Sequence, residues 1–160
     1  MSKNKEIKSN AMGIRERMKI PYSHYTYECE EFTDGVQVAD MLGLPHEKVY
    51  KTLVAQGASR EYFVFVIPIE AELDLKKAAR AVGEKSVAML PSKELLPLTG
   101  YVHGGCSPVG MKKPFPTVFH RSALDQETIL VSAGKIGFQV EVRPGDLIAL
   151  VGAKAEDVVA

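Results

Sequence analysis

The stretch EYFVFVIPI, residues 61–69, is apolar at both odd and even positions. A strand of that kind must be covered on both faces, so the rest of the chain has to supply packing layers above and below it. A short GASR turn at 57–60 joins it to VYKTLVAQ, residues 49–56, as a hairpin partner. In that partner, alternation puts Val49, Lys51, Leu53 and Ala55 on one face and Tyr50, Thr52, Val54 and Gln56 on the other. Lys51 thus shares a face with apolar neighbours. Either it snorkels to water along its stem, or it holds an ammonium at the rim of a pocket, where partial desolvation strengthens a contact with an anion or a carbonyl oxygen.

The remaining elements read as short units arranged around this hairpin. A basic leader, with residues 1–9 expected to be flexible, precedes a helix capped by Asn10 with Ala11, Ile14 and Met18 on one stripe. YSHYTYE, residues 22–28, alternates as a strand that places Tyr25 and Tyr27 on one face. Tyr27 is either a half-buried strand tyrosine or a ligand contact. Asp34 can cap a helix ending at Gly43, and Asp74 one that buries Leu75, Ala78, Ala79 and Val82 and ends at Gly83. The cations Lys76, Lys77 and Arg80 on that second helix form a solvated face. Strands follow at SVAML, PTVFH, TILVSAG and FQVEVR; Ser92 caps a brief helical turn before Leu96-Pro97, and Pro144 opens a closing helix. The pattern predicts one α+β domain over residues 1–160, with a central mixed, barrel-like sheet of six or seven strands and short peripheral helices.

Between two of these strands lies GYVHGGCSPVGMKK, Gly100 to Lys113. Its glycines permit positive φ and close approach of a ligand, and its backbone N–H groups can form a nest for anionic or carbonyl oxygens. The same glycines would also serve a long connection with nothing but turn geometry to satisfy. Cys106 is a candidate nucleophile among backbone donors, or a small filler.

Several classes of chemistry lack their residues. The four histidines, His24, His46, His103 and His120, occupy unrelated elements without ligand spacing, so no metal and no cofactor is expected. No phosphate-binding loop, dinucleotide fingerprint or nucleophile elbow occurs. Lys+Arg and Asp+Glu both number 20, so any polynucleotide contact must be local. Two cysteines, Cys29 and Cys106, give no disulfide framework, and no apolar run is long enough to span a bilayer; the expectation is a cytoplasmic protein with no membrane partner. What survives is a cleft with Lys51 on one wall and Gly104, Gly105 and Ser107 on another, suited to polarising a carbonyl and holding a phosphate or ribose.

YKTLV around Lys51, TGYVHGGCSPVGMKK from Thr99 to Lys113 and VSAGKIGFQVEVRPGDL from Val131 to Leu147 resemble the YbaK/EbsC family of bacterial Cys-tRNA(Pro) deacylases. The resemblance implies a compact α/β domain that removes cysteine attached in error to proline tRNA, with the aminoacyl-tRNA as substrate and prolyl-tRNA synthetase as a possible partner. Such editing has a physical basis, because a pocket separates side chains as close in size as cysteine and proline by only about 1–3 kcal/mol. In the family's chemistry the substrate's own thiol attacks the ester, which makes a protein nucleophile unnecessary. Carried over by position, Lys51 holds the terminal phosphate or ribose and Tyr27 positions the adenosine or amino acid. Gly104, Gly105 and Ser107 surround the ester, and Cys106 falls where the motif specifies no residue. The family's GKRG turn is Gly134-Lys135-Ile136-Gly137 here, leaving Lys135 as the only cation of that turn. A non-catalytic module that binds a tRNA end or nucleotide, and editing of another amino acid such as alanine or serine, are the alternative functions.

Overall fold

The computed structural model describes residues 21–26, 39–40, 42–102, 105–134 and 138–160. The expectations for the leader, the Asn10 and Asp34 caps, Tyr27, Cys29, Gly104 and Lys135 lie outside those residues. Among the described residues the strands are β1 (Tyr22–Thr26), β2 (Tyr50–Gly57), β3 (Tyr62–Pro68), β4 (Val87–Met89), β5 (Thr117–His120), β6 (Ile129–Ser132), β7 (Phe138–Val142) and β8 (Lys154–Glu156). The helices of eight residues are α1 (Leu75–Val82), α2 (Ser92–Thr99) and α3 (Pro144–Val151), with 3-10 turns at His46–Lys48 and Arg121–Asp125.

The apolar stretch at 61–69 becomes β3 and lies where its composition requires, inside a five-stranded sheet of order β4-β2-β3-β5-β8. It pairs antiparallel with β2 and parallel with β5, so the sheet is mixed. One face of β3, with Phe63, Phe65 and Ile67, packs with Ala78 and Ala79 of α1 and with Val158. The other face, with Val64 and Val66, packs with Phe119, Ile129 and Val131. β1, β7 and β6 form a second, antiparallel sheet. Among the described residues the two sheets are joined by one parallel bridge, Val49 to Leu130, and the strands do not close into a barrel.

Local signals explain most element ends. The Asp74 carboxylate accepts the N–H groups of Lys76 and Lys77 at 3.0 Å, and Gly83 ends α1 with φ +73°. Lys77 is not a purely solvated cation, since its Nζ donates to Asp157 and to the Val159 carbonyl at 3.0 Å. Leu75, expected inside, is 42% exposed. Ser92 is the first helical residue and not a cap: Pro91 holds the cap position and α2 runs through Pro97 to Thr99. The N–H that Pro97 lacks would have served Lys93, whose turn is exposed, so water can take that bond. β8 was not expected from the sequence, because three residues of mixed polarity carry no period and its pairing with β5 is non-local.

Candidate functional site

A transverse row of side chains crosses the junction of the two sheets. Tyr25 of β1 stands opposite Gln139 of β7, and Gln139 stands opposite Ser132 of β6. Val49 and Leu130, paired across the bridge, point the same way and pack together with Ile69, Ala39 and Tyr25. Lys51 lies two residues beyond Val49, and Ser132 two residues beyond Leu130. Alternation therefore sends both side chains to the face that Val49 and Leu130 share. Past the bridge β2 and β6 stop pairing, and β2 is next paired on that edge near Ala55, with β4. Among the described residues the gap leaves Lys51, Ser132 and Gln139 in a row beside an unpaired stretch of strand edge.

The chemical state of the row follows from its burial. Lys51 is half-buried, and among the described residues its ammonium has neither ion-pair nor hydrogen-bond partner. Burial pulls its pKa below the ordinary lysine value, and the negative charge of Glu72 offsets part of that. Ser132 is buried, and its Oγ accepts the Gly134 N–H at 3.2 Å. Gly134 has φ +99°, and a Cβ there would stand 2.8 Å from the Tyr101 ring; the Tyr101 hydroxyl in turn donates to the Val109 carbonyl. The turn after β6 is thus set against the glycine-rich loop. Gln139 is 6% exposed, and among the described residues its Oε1 has no hydrogen-bond partner.

Glu141, two residues beyond Gln139 on the same face of β7, fixes the frame around this row. Its carboxylate receives the Tyr25 hydroxyl at 2.8 Å, the Thr128 hydroxyl and the Lys48 ammonium. Burial alone would raise its pKa, but these three donors hold it down at about 2. One carboxylate so ties together β1, β7, the start of β6 and the 3-10 turn that leads into β2.

The glycine loop packs against the other face of β2, opposite Lys51. Cys106 and Val109 pack in the core that contains Tyr50 and Val54, which alternate with Lys51 along β2. The Gly105 N–H donates to the Val102 carbonyl at 3.0 Å. Ser107 is 1% exposed and its hydroxyl accepts the Val109 N–H at 3.2 Å. Gly105 therefore spends the N–H that the sequence offered as a donor on shaping the loop, and Ser107 shapes it as an acceptor. Burial pushes the Cys106 thiol up to about 12, so it is protonated at neutral pH and no ready nucleophile. Ser132 and Gln139 escaped the sequence reading. The signal available was the polar residue at alternate positions of two otherwise apolar strands.

What the row offers is a cation with no ion-pair partner among the described residues, a hydroxyl and a carboxamide. No carboxylate or imidazole hydrogen-bonds to Ser132 among the described residues. Such a set holds and polarises an ester better than it attacks one.

Residues 29–150 match the family model described as an aminoacyl-tRNA editing domain. Over 160 residues, 99% of this chain and 98% of the relative, the chain is 42% identical to a protein of Enterococcus faecalis named as a candidate Cys-tRNA(Pro)/Cys-tRNA(Cys) deacylase, EbsC. It is also 31% identical over 106 residues to a proline–tRNA ligase of Fervidobacterium nodosum, of which the match covers 18%. Among solved structures, one described as a candidate trans-editing enzyme for prolyl-tRNA synthetase superimposes with a TM-score of 0.83 at 24% identity, covering 94% of this chain and 97% of that one. That last likeness is one of fold.

Proposed function

Since the chain belongs to the aminoacyl-tRNA editing domain family, we propose that it is a trans-editing deacylase that frees proline tRNA from wrongly attached cysteine, acting at the row that contains Lys51. The observation that carries this reading is the half-buried Lys51 ammonium with no partner among the described residues. A desolvated cation is poised for an anionic or carbonyl oxygen that only a ligand supplies. Lys51 then grips the ribose or phosphate beside the ester. Tyr27, Lys135 and the Gly104 backbone are assigned contacts to the terminal nucleotide and amino acid, while Gly105 and Ser107 hold the loop wall.

The bond-breaking step needs no protein nucleophile. The cysteinyl thiol of the substrate attacks its own ester carbonyl, forming the carbon–sulfur bond of a cyclic thioester as the bond to the ribose oxygen breaks. The thiol proton ends on that ribose oxygen, and water then opens the thioester to free cysteine. Holding thiol and carbonyl at attack distance supplies the acceleration. The protonated, buried Cys106 fits this division of labour. The match within proline–tRNA ligases supports proline tRNA as the carrier and a synthetase-bound complex as the setting.

An ester panel tests the proposal. Cys-tRNA(Pro) should lose its amino acid in the presence of the protein while Pro-tRNA(Pro) persists. Lys51→Ala should slow the reaction by about one to two decades, the kinetic equivalent of a charge-assisted contact, and Cys106→Ala should leave most of it. Equal persistence of both esters would sink the reading. Loss of esters that carry no thiol, such as alanyl or seryl, would replace self-attack by sulfur with attack by water.

A further inference from the structure

Gln139 is a buried polar group that the fold leaves incomplete. It lies in the middle of the β1-β7-β6 sheet, 6% exposed, opposite both Tyr25 and Ser132, and its Oε1 accepts no hydrogen bond from the described residues. The Tyr25 hydroxyl donates to Glu141; Ser132 Oγ accepts the Gly134 N–H, and its own hydroxyl makes no hydrogen bond to Gln139 Oε1. Buried amide oxygens nearly always have donors, and one without a donor beside the half-buried Lys51, where the two sheets part, is suited to accept a ligand's N–H.

The polarity of the row suits one kind of ligand. Lys51 supplies positive charge at one end, toward an oxygen of the ligand, and Gln139 supplies an acceptor at the other. An aminoacyl ester has the matching order, with its carbonyl and ribose oxygens as acceptors and its α-ammonium as a donor of three N–H bonds. We propose that the Gln139 carboxamide oxygen receives the α-ammonium of the aminoacyl group, so that the site takes esters with a free α-amine and discriminates against N-acylated ones, peptidyl or formylated. This inference rests on the deacylase reading above and names the feature of the substrate that the site reads. A neutral acceptor suits the place, because a carboxylate there would be drawn toward Lys51.

Binding of two hydrolysis-resistant adenosines tests it. Each carries a 3′-amide in place of the ester, one with a cysteinyl group and one with the 3-mercaptopropionyl group, which lacks only the amine. The wild-type protein should bind the cysteinyl compound roughly ten- to a hundredfold more tightly, the range of one hydrogen bond to a charged group. Gln139→Met, of similar volume, should bind both with the weaker affinity, and the N-acetylcysteinyl compound should bind wild type no better than the des-amino one. Gln139→Asn, which keeps the amide but shortens its reach, should retain part of the gap. Wild-type affinities within twofold of each other would overturn the inference without recourse to a variant, as would a gap that Gln139→Met preserves. Hydrolysis of Cys-tRNA(Pro) is followed in parallel. Hydrolysis without an affinity gap removes the role of Gln139 alone, whereas no hydrolysis and no binding of either compound removes the deacylase reading with it.

Discussion

Lys51 is a residue whose value to the site and cost to the fold have the same origin. Its ammonium is partly desolvated without a partner among the described residues, which strengthens any contact a ligand makes and disfavours the folded state until one arrives. The sign with pH follows. Because burial lowers its folded pKa below the ordinary 10.5, the unfolded chain holds this proton more tightly, and the Lys51 contribution to stability rises with pH as the solution passes from the folded pKa toward the unfolded one. Activity that depends on the ammonium should fall in that same alkaline window, ahead of an ordinary lysine. Lys51→Met should therefore lose deacylation while keeping or raising Tm, by about 2–4 °C if about 1 kcal/mol is recovered. Calorimetry at pH 7 beside the ester assay checks both halves, and a large drop in Tm would contradict the account.

At the scale of elements, the three-stranded sheet owes its attachment to charge as well as to apolar packing. Glu141 gathers hydrogen bonds from Tyr25, Thr128 and Lys48, and its folded pKa of about 2 lies below the ordinary 4.5. A depressed carboxylate contributes stability that is present in full above the unfolded pKa and is lost as pH falls through the folded one. Glu141→Gln should thus flatten the loss of stability between about pH 4.5 and 2, and should lower stability at pH 7 by about 1–3 kcal/mol through weakened bonds to Lys48. Urea denaturation at several pH values would reveal both effects. The helices, by contrast, were legible from single residues. Asp74 and Gly83 delimit α1 as their chemistry requires. Ser92 misled because a serine ahead of an apolar run resembles a cap, whereas the preceding Pro91 already had the extended backbone that the cap position needs.

At the scale of the whole molecule, the site exists because β2 and β6 of the two packed sheets bridge at Val49 and Leu130 and, among the described residues, then part. Leu130 is fully buried at that bridge, packed with Val49 and Ile69. Leu130→Ala should cost about 2–5 kcal/mol, as deletions of buried leucine do. Because the junction sets the spacing of Lys51 from Ser132, the variant should also lose more deacylase activity than a comparable buried-leucine deletion away from it, such as Leu147→Ala in α3. Matched Tm losses with matched activities would show that the bridge serves stability alone. No helix among the described residues is long and apolar enough to cross a membrane, and the balanced charge leaves recognition to local groups such as those of the row.

The sequence by itself determined what depends on neighbours along the chain. The run at 61–69 had to be a covered strand, the GASR turn had to fold it back on its partner, and alternation had to put Lys51 among apolar residues. The glycine loop was visible as an unusual segment, and its motif carried the family. Tertiary structure alone decided which face each polar residue meets. Ser132 and Gln139 sit at alternate positions of amphipathic strands, a pattern that looks the same whether water or a packed layer lies opposite, and only the sheet junction buries them beside Lys51. The converse holds for Cys106 and Ser107. They stand out in the sequence, but the loop folds onto the far face of β2, where a buried thiol stays protonated and a buried hydroxyl accepts the Val109 N–H of its own turn.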